Sequence, residues 1–317
     1  MILELAAAAV GAWGLRRLAH LAILRGLRAP RLQHPRGASA GGVAGGLVRA
    51  VHIAGPGGKR LFAWWARPPP NAPRPAPAVL VMHGWGANAS MMESVVPPLH
   101  AAGFAILLLD ARCHGRSEDE PFTSMPRFAE DIAAGLAWLR TQPGIAADRL
   151  TLLGHSVGAA AALLHASQHH DVRAVISVSA FAHPHELMRR FLTEKRLPYP
   201  VLGWYVLRHV QGVIGATFDE IAPLHTITQV RCPVLLVHGR DDATVAVGDA
   251  ERLRTMSGGA RVLLVDGEHD LRVPLAEHAP ALVEFLQTAC AAAPAPDHPF
   301  RTRKPNTPCT PRANPLR

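Results

Sequence analysis

Short apolar runs alternate with stretches of helical spacing through most of this chain. Runs that are apolar at nearly every position and bounded by turn residues are typical of strands buried on both faces. They lie at residues 47–53, 61–66, 78–82, 105–109, 150–153, 173–178, 232–239 and 261–265. Helical spacing covers 126–140, with Ser124 as a candidate cap, and an alanine-rich helical run follows Ser156. This alternation predicts an α/β fold with a mostly parallel central sheet and helices on both faces.

The alternation breaks between residues 181 and 230. Two predicted core strands are separated there by far more chain than one helix and its connections need, so the segment must hold structure of its own. We expect a helical lid that lies over the site and shapes its pocket. It carries a basic cluster together with apolar and aromatic side chains: Arg189, Arg190, Phe191, Leu192, Lys195, Arg196, Tyr199, Trp204, Tyr205 and Leu207. The basic cluster either attracts an anionic substrate or lipid surface or is an ordinary solvated helix face.

The first 36 residues have a composition of their own. An apolar run at 5–15 is interrupted by Arg16 and Arg17, and further arginines follow. This pattern fits a helix lying on the protein or on a membrane surface, and it also fits a short N-terminal membrane anchor with a cytoplasmic body. A signal peptide fits less well, because Glu4 stands where a basic leader is usual.

The chain therefore divides into four predicted parts. They are an apolar and basic N-terminal segment at 1–36, a glycine-rich linker at 37–48, a folded domain at 49–290 that contains the lid at 181–230, and a basic tail at 291–317. The tail is rich in proline and charge, so we expect it to be disordered.

The net charge of +9 belongs to the two ends of the chain. Residues 1–60 hold 9 Lys and Arg against 1 acidic residue, residues 291–317 hold 5 against 1, and the body between them holds 19 against 22. A nearly neutral body lacks the basic surface that nucleic-acid binding requires, so we expect no nucleic-acid partner.

The four cysteines form no evident disulfide framework. Cys113, Cys232, Cys290 and Cys309 are widely scattered, which suggests free thiols in a reducing compartment. We therefore expect a cytoplasmic protein, associated with a membrane if the N-terminal segment binds one. The oligomeric state is not predicted.

The sequence Gly154-His155-Ser156-Val157-Gly158 joins a predicted strand to a predicted helix. A serine at such a sharp turn projects its hydroxyl from the carboxyl edge of the sheet, and the positions two residues to either side must be small. Ser156 is therefore the candidate nucleophile. Its hydroxyl needs an imidazole to accept its proton, and the imidazole needs a carboxylate to orient it.

Candidate partners follow in the expected chain order. The strand at 232–239 is followed by two carboxylates, Asp241 and Asp242, and the strand at 261–265 is followed by His269, the candidate base. The tetrahedral intermediate needs two preorganised donors for its negatively charged oxygen. We assign these to the backbone N–H of Val157, directly after the nucleophile, and to that of Trp85, in the glycine-containing loop after the strand at 78–82.

These motifs together resemble the α/β-hydrolase family, in particular its serine-hydrolase branch with a helical lid, which includes esterases and serine aminopeptidases. The resemblance covers roughly residues 49 to 290 and rests on five motifs in order: 83–86, 110–117, 154–158, 239–245 and 267–269. The family's Gly-x-x-Asp-x-x-Val pattern maps onto 239–245 and makes Asp242 the acid of a Ser156-His269-Asp242 triad. Where the family often has glycine in the second motif, this chain has Cys113.

The resemblance implies a serine hydrolase that needs no cofactor and no metal. We expect it to cleave a small-molecule carboxylic ester, thioester or small amide through an acyl-enzyme, with ester chemistry favoured over peptide chemistry. The same scaffold also carries aminopeptidases and acyltransferases, so both stay open. Two non-enzymatic alternatives are a hydrolase-like protein that binds a small ligand and a membrane-tethered scaffold.

Several histidines have non-chemical interpretations. His83, His114 and His155 lie within motifs where the family uses histidine for loop shape or packing, and His238 is interpreted in the same way. His165 and His169 have a spacing that can bind a metal, but no third ligand is in sight, so a surface helix face is expected.

Overall fold

The structure is a computed structural model that describes residues 1–34, 48–199 and 201–292. Within those residues eight strands form one sheet in the order β1-β2-β4-β3-β5-β6-β7-β8. The strands are β1 (Val48–Ala54), β2 (Arg60–Ala66), β3 (Ala76–Met82), β4 (Ala105–Leu109), β5 (Ile145–His155), β6 (Val175–Val178), β7 (Val234–Gly239) and β8 (Arg261–Val265). All pairs from β4 to β8 are parallel, and β1 and β2 form an antiparallel edge. The predicted fold class is confirmed.

Helices cover both faces of the sheet. They are α1 (Ile2–Gly26), α2 (Val96–Ala101), α3 (Met125–Arg140), α4 (Val157–His169), α5 (Pro184–Glu194), α6 (Leu202–Ile214), α7 (Phe218–Ile221), α8 (Pro223–Thr226), α9 (Gly248–Met256), α10 (Arg272–Glu277) and α11 (Ala279–Ala291), with 3-10 helices at Pro56–Gly58, Ala89–Val95 and Ile227–Gln229. Side chains of α3 and α4 pack in one core cluster, and those of α2 and α11 pack in a second.

The central strands explain this two-sided core. In β4, Leu107 and Leu109 belong to the cluster with α3 and α4, whereas Ile106 and Leu108 belong to the cluster with α2 and α11. Successive side chains of a strand point to opposite faces, so a strand that is covered on both must be apolar at every position. All five residues of β4 are buried.

Most strand starts lie within two residues of their predicted positions, and β5 differs most. β5 begins at Ile145 rather than at 150, because its first half includes exposed Ala147 and Asp148 and so lacks the apolar signature. β6 begins at Val175, two residues after its predicted start. Helix α3 begins where its cap predicts, since the Ser124 hydroxyl accepts a hydrogen bond from the backbone N–H of Arg127.

The segment at 181–230 contains helices α5 to α8 and packs against the body. Leu192, Leu207 and Phe218 join the core cluster of α3 and α4. Glu186 of α5 accepts hydrogen bonds of 2.7 and 2.8 Å from the guanidinium of Arg252 in α9. Helical structure in this segment is as expected, and its service as a lid stays a proposal.

The N-terminal segment begins as a long helix. Helix α1 contacts α6 through a 2.9 Å hydrogen bond between His20 Nδ1 and His209 Nε2. In the part of the chain that the structure describes, no helix is both long and apolar enough to cross a membrane. The predicted linker lies outside the described residues except for Val48, and so does the predicted tail from residue 293 on.

Candidate active site

Ser156 lies at the turn between β5 and α4, in a backbone conformation that non-glycine residues rarely adopt. Its φ is +52° and its ψ is −117°. A Cβ atom on Gly154 would lie 2.4 Å from the carbonyl oxygen of Gly158, and one on Gly158 would lie 2.3 Å from that of His83. The turn therefore requires glycine on both sides. Strain of this kind costs on the order of 1–3 kcal/mol and is commonly found at functional sites.

His269 connects the serine to a carboxylate. Its Nε2 lies 3.0 Å from the Ser156 Oγ, and its Nδ1 lies 2.8 Å from the Asp242 Oδ2. The turns after β7 and β8 make this meeting possible, because a Cβ on Gly239 would lie 2.4 Å from the carbonyl oxygen of Gly267. The structure thus brings together the three side chains that the sequence singled out from three distant loops.

Asp242 is fixed from both sides of its carboxylate. Oδ1 accepts hydrogen bonds from the backbone N–H groups of Thr244 at 2.9 Å and Val245 at 2.7 Å, which leaves Oδ2 for His269. Burial acts to raise the pKa of Asp242, but the hydrogen bonds from His238, His269 and Val245 outweigh it and hold that pKa below its usual range. Asp241 is exposed in the turn.

A second imidazole lies beside this carboxylate. His238 Nε2 is 3.0 Å from the carbonyl oxygen of Val245 and 3.4 Å from Asp242 Oδ2, and its side chain is buried. Burial acts to lower the pKa of His238, yet its hydrogen bond to Asp242 helps to raise it. Sequence reasoning assigned His238 to packing and missed this contact. The available signal was its position at the end of β7, four residues before the acid.

The loop after β3 approaches the nucleophile through its backbone. A Cβ on Gly84 would lie 3.2 Å from Ser156 Cβ and 3.0 Å from His155 Nδ1, so a larger residue would displace the loop. Trp85 follows directly, with a side chain 37% exposed, and Val157 is the first residue of α4. The N–H groups at a helix start carry partial positive charge. Both assigned oxyanion donors therefore lie in segments next to Ser156, and their role stays a proposal.

Two buried histidines hold this loop against the loop after β4. His83 donates from Nδ1 to the carbonyl oxygen of Gly84 at 2.7 Å and accepts at Nε2 from the N–H of Ala111 at 3.1 Å. His114 accepts from the N–H of Gly86 at 3.0 Å. Burial lowers the pKa of His114 to about 3, so its ring stays neutral and Nε2 remains an acceptor.

His155 supports the candidate base. Its Nε2–H donates to the backbone carbonyl oxygen of His269 at 2.8 Å. Burial, with a smaller contribution from the charge of His269, lowers the pKa of His155 to about 4. His155 therefore links the turn at Ser156 to the loop that carries His269.

A cavity of about 300 Å³ opens beside His269. Its apolar wall comes from Met91 and Met92 in the 3-10 helix Ala89–Val95, from Leu271 directly before α10, and from Leu275 within α10. Gly84 and His155 line it as well. Within the described residues, none of its lining residues belongs to the segment at 181–230.

Two other sequence features are placed by the structure, and only His165 differs from its expected surroundings. His165 is 1% exposed rather than on a surface face, and its Nε2 lies 2.9 Å from Asp171. Cys113 has a φ of +66°, which is the conformation that explains glycine at this position in relatives. Burial is the largest influence on the Cys113 thiol and raises its pKa. The described residues contain no group of three side chains placed to hold a metal ion.

The geometry agrees with comparisons to known proteins. The family model described as serine aminopeptidase, S33, matches residues 73–214. The fold matches that of an esterase from Pyrococcus furiosus with a TM-score of 0.63 at 20% identity, over 82% of this chain and 98% of the esterase. The chain has the α/β-hydrolase fold. The strained turn at Ser156 lies between a strand and a helix, where this fold carries its nucleophile, and the role of Ser156 stays a proposal.

Two further proteins are similar to this chain in sequence. An uncharacterised protein of Mycobacterium tuberculosis is 30% identical over 196 residues, and the chain spans 62% of that relative's length. The pimeloyl-[acyl-carrier protein] methyl ester esterase of Neisseria meningitidis is 26% identical over 254 residues, which is 66% of this chain and 91% of the esterase.

Proposed function

We propose that this α/β-hydrolase is a serine hydrolase that cleaves a small carboxylic ester or thioester through an acyl-enzyme. The observation that carries the proposal is the position of His269, hydrogen-bonded at once to the Ser156 hydroxyl and to the Asp242 carboxylate. The names of the similar proteins, an esterase and a methyl ester esterase, add support for ester chemistry.

In the first half of the reaction, His269 Nε2 accepts the proton of Ser156 as Oγ attacks the acyl carbon. The N–H groups of Val157 and Trp85 stabilise the negative oxygen of the tetrahedral intermediate. The imidazolium of His269 then gives its proton to the departing alcohol or thiol, and Ser156 is left acylated. Asp242 stabilises the imidazolium and keeps Nε2 directed at the serine.

In the second half, water replaces the leaving group. His269 accepts a proton from this water, which attacks the acyl carbon, and the tetrahedral intermediate collapses to release the acid. Ser156 Oγ regains its proton from His269. The cycle consumes one water molecule and returns every side chain to its starting state.

We place an apolar group of the substrate in the cavity beside His269. Its wall of methionine and leucine side chains can contact an alkyl chain along its length. Replacing Met92 with tryptophan should shorten the longest chain accepted in a series of nitrophenyl esters, while Trp204→Ala in α6 should leave the series unchanged.

A fluorophosphonate probe tests the nucleophile. It should label the wild-type protein and leave Ser156→Ala unlabelled, because only an activated serine reacts with it. Equal labelling of both proteins, or labelling of neither, would refute the assignment of Ser156.

An aminopeptidase is a second candidate, favoured by the description of the matching family model. The same triad can cleave an amide when the leaving group is an amine that His269 protonates. Side-by-side rates on acyl esters, acyl thioesters and aminoacyl amides decide between the candidates. The preferred class is the one with the highest kcat/KM.

We also propose that α1 binds a membrane surface. Its side chains at Leu5, Val10, Trp13, Leu15, Leu18 and Leu21 are each at least 60% exposed. Arg16, Arg17 and Arg25 are exposed on the same helix and can pair with anionic headgroups. The protein should sediment with vesicles containing phosphatidylserine, and a variant with Trp13, Leu15 and Leu18 changed to serine should bind more weakly. Equal binding by both proteins would contradict this.

A further inference from the structure

Residues 27–34, named here the N-terminal strap, run from the end of α1 across the loops that carry the proposed site. They precede the domain predicted from the sequence and the residues matched by the family model. The strap nevertheless ends in a buried side chain, since His34 is only 7% exposed. Burial of a polar residue in a terminal segment calls for a physical explanation.

His34 donates a hydrogen bond to a buried carboxylate. Its Nε2 lies 2.7 Å from the Asp110 Oδ2, and its Nδ1 accepts from the indole N–H of Trp64 at 3.3 Å. The indole contact fixes the tautomer, so the proton of the imidazole must be on Nε2. His34 thereby occupies one of the acceptor sites of Asp110 and is itself held in orientation.

Asp110 also accepts hydrogen bonds from two loops near the proposed active site. Its Oδ1 accepts from the backbone N–H of Ala89 at 2.7 Å, and its Oδ2 accepts from that of Arg116 at 2.8 Å. Ala89 begins the 3-10 helix that directly follows the loop carrying Trp85. The carboxylate therefore connects the strap, this 3-10 helix and the loop after β4 through hydrogen bonds.

The strap also contacts the Trp85 loop directly. The side-chain amide of Asn88 donates to the carbonyl oxygen of Leu32 at 3.0 Å. A Cβ on Gly86 would lie 3.3 Å from the ring of Pro30, so the backbone there is packed against the strap. Trp85 is thus flanked by Gly84, which approaches Ser156, and by Gly86, which approaches the strap.

We propose that the N-terminal strap is a positioning element for the oxyanion site, with His34 as its principal positioning residue. The strap braces the outer side of the loop whose inner side presents the Trp85 N–H. Preorganisation of this donor accounts for its catalytic value, because a donor displaced by a fraction of an ångström stabilises the transition state less. This proposal rests on the proposed function.

The test compares His34→Phe, which keeps an aromatic ring but cannot donate, with His34→Gln, which can donate to Asp110 and accept from Trp64. We expect His34→Phe to lower kcat for an acyl ester by about tenfold or more with little change in KM, since one whole oxyanion donor is worth about a hundredfold to a thousandfold. Inhibition by an alkyl boronic acid, which mimics the tetrahedral intermediate, should weaken in parallel. His34→Gln should restore both.

His52→Phe is the matched control. His52 also contacts the ring of Phe62, at 5.8 Å against 5.4 Å for His34, but it is exposed on β1. This variant should keep wild-type kcat. Asn88→Asp is a second test variant, because it keeps the acceptor that caps the 3-10 helix and loses the donor to Leu32. Asn88→Asp should also lower kcat.

Wild-type kcat and boronate inhibition in both His34→Phe and Asn88→Asp would overturn the proposal, as would a loss that His34→Gln fails to restore. Hydrogen exchange distinguishes failure of the proposed strap role from failure of the proposed hydrolase function. If the wild-type protein cleaves no ester, faster exchange at the amides of residues 85–88 in His34→Phe, but not in His52→Phe, still supports the bracing role. Unchanged exchange there overturns it.

Discussion

Asp241 and Asp242 are neighbours of the same chemical type in very different surroundings. Asp241 is exposed, whereas Asp242 is buried and receives hydrogen bonds from two backbone N–H groups and His269. Only the buried carboxylate can orient an imidazole, because its own position is fixed. The turn therefore exposes the carboxylate of Asp241 and fixes that of Asp242 against His269.

This contrast gives a matched pair of substitutions. Asp242→Asn should lower kcat by roughly ten-thousandfold, because an amide favours the wrong tautomer of His269 and stabilises no imidazolium. Asp241→Asn should keep kcat within about twofold, since its side chain contacts no member of the triad. Both are measured on the same ester at saturating substrate. Similar losses in the two variants would contradict the assignment of the acid.

Some residues of the candidate site could be predicted from sequence patterns and others could not. Ser156 and His269 were predicted from their positions after strand ends and beside glycines, and the resemblance to the family's Gly-x-x-Asp-x-x-Val pattern selected Asp242 over Asp241. His238 and His34 contact buried carboxylates and were not predicted as such. Their contacts depend on the position of another loop in the folded protein, which no local sequence pattern predicts.

Helix α3 is the element that supports the Trp85 loop from inside the core. Phe128 lies fully buried on it, with its ring 5.6 Å from that of His83 and 5.1 Å from that of His114. Both imidazoles bind backbone groups of the loop. Packing on α3 is therefore connected to the geometry of the site.

Phe128→Ala should destabilise the protein by about 3–5 kcal/mol and also lower kcat, because the two imidazoles lose the ring that holds them. Trp138→Ala on the same helix is the control. Trp138 packs against Trp65 at 5.3 Å, away from the loop, so its loss should reduce stability while kcat at low temperature stays near the wild-type value. Denaturant titration and initial rates measure the two effects. Equal loss of kcat in both variants would contradict a specific role of Phe128.

At the scale of elements, the sequence predicted which strands exist better than where they begin. The central strands are apolar at every position, so their signal is strong. The first half of β5 has two buried residues followed by two exposed ones and has no such signal. The helices at 181–230 were expected from chain length alone, and their packing on the main core could not be deduced from it.

The whole molecule should lose stability in mild acid. Burial is the main cause that lowers the pKa of His155 to about 4 and of His114 to about 3, while both would titrate near 6.5 in the unfolded chain. Between these values the unfolded chain binds more protons than the folded one. The contribution of these two histidines to the free energy of unfolding should therefore be highest above about pH 7 and fall as the pH drops, by at most ~1.4 kcal/mol per pH unit for each histidine.

Urea titrations between about pH 7 and pH 4 measure this slope. His114→Asn should flatten it, because one titrating group is removed. Asp242 adds a further loss below about pH 4, where the unfolded carboxyl binds a proton that the folded one resists. An equal slope in the wild-type protein and in His114→Asn would contradict the assignment of a neutral buried His114.

The sequence by itself determined the α/β architecture, the strained serine turn and the three triad candidates, because each leaves a local signature in apolar spacing or in glycines around a turn. The tertiary structure alone decided that His238 contacts Asp242, that the cavity wall comes from the 3-10 helix Ala89–Val95 and α10, and that His34 reaches Asp110 across 76 residues of chain. Contacts between segments so far apart in sequence depend on how whole elements pack. Short-range patterns carry no record of that packing.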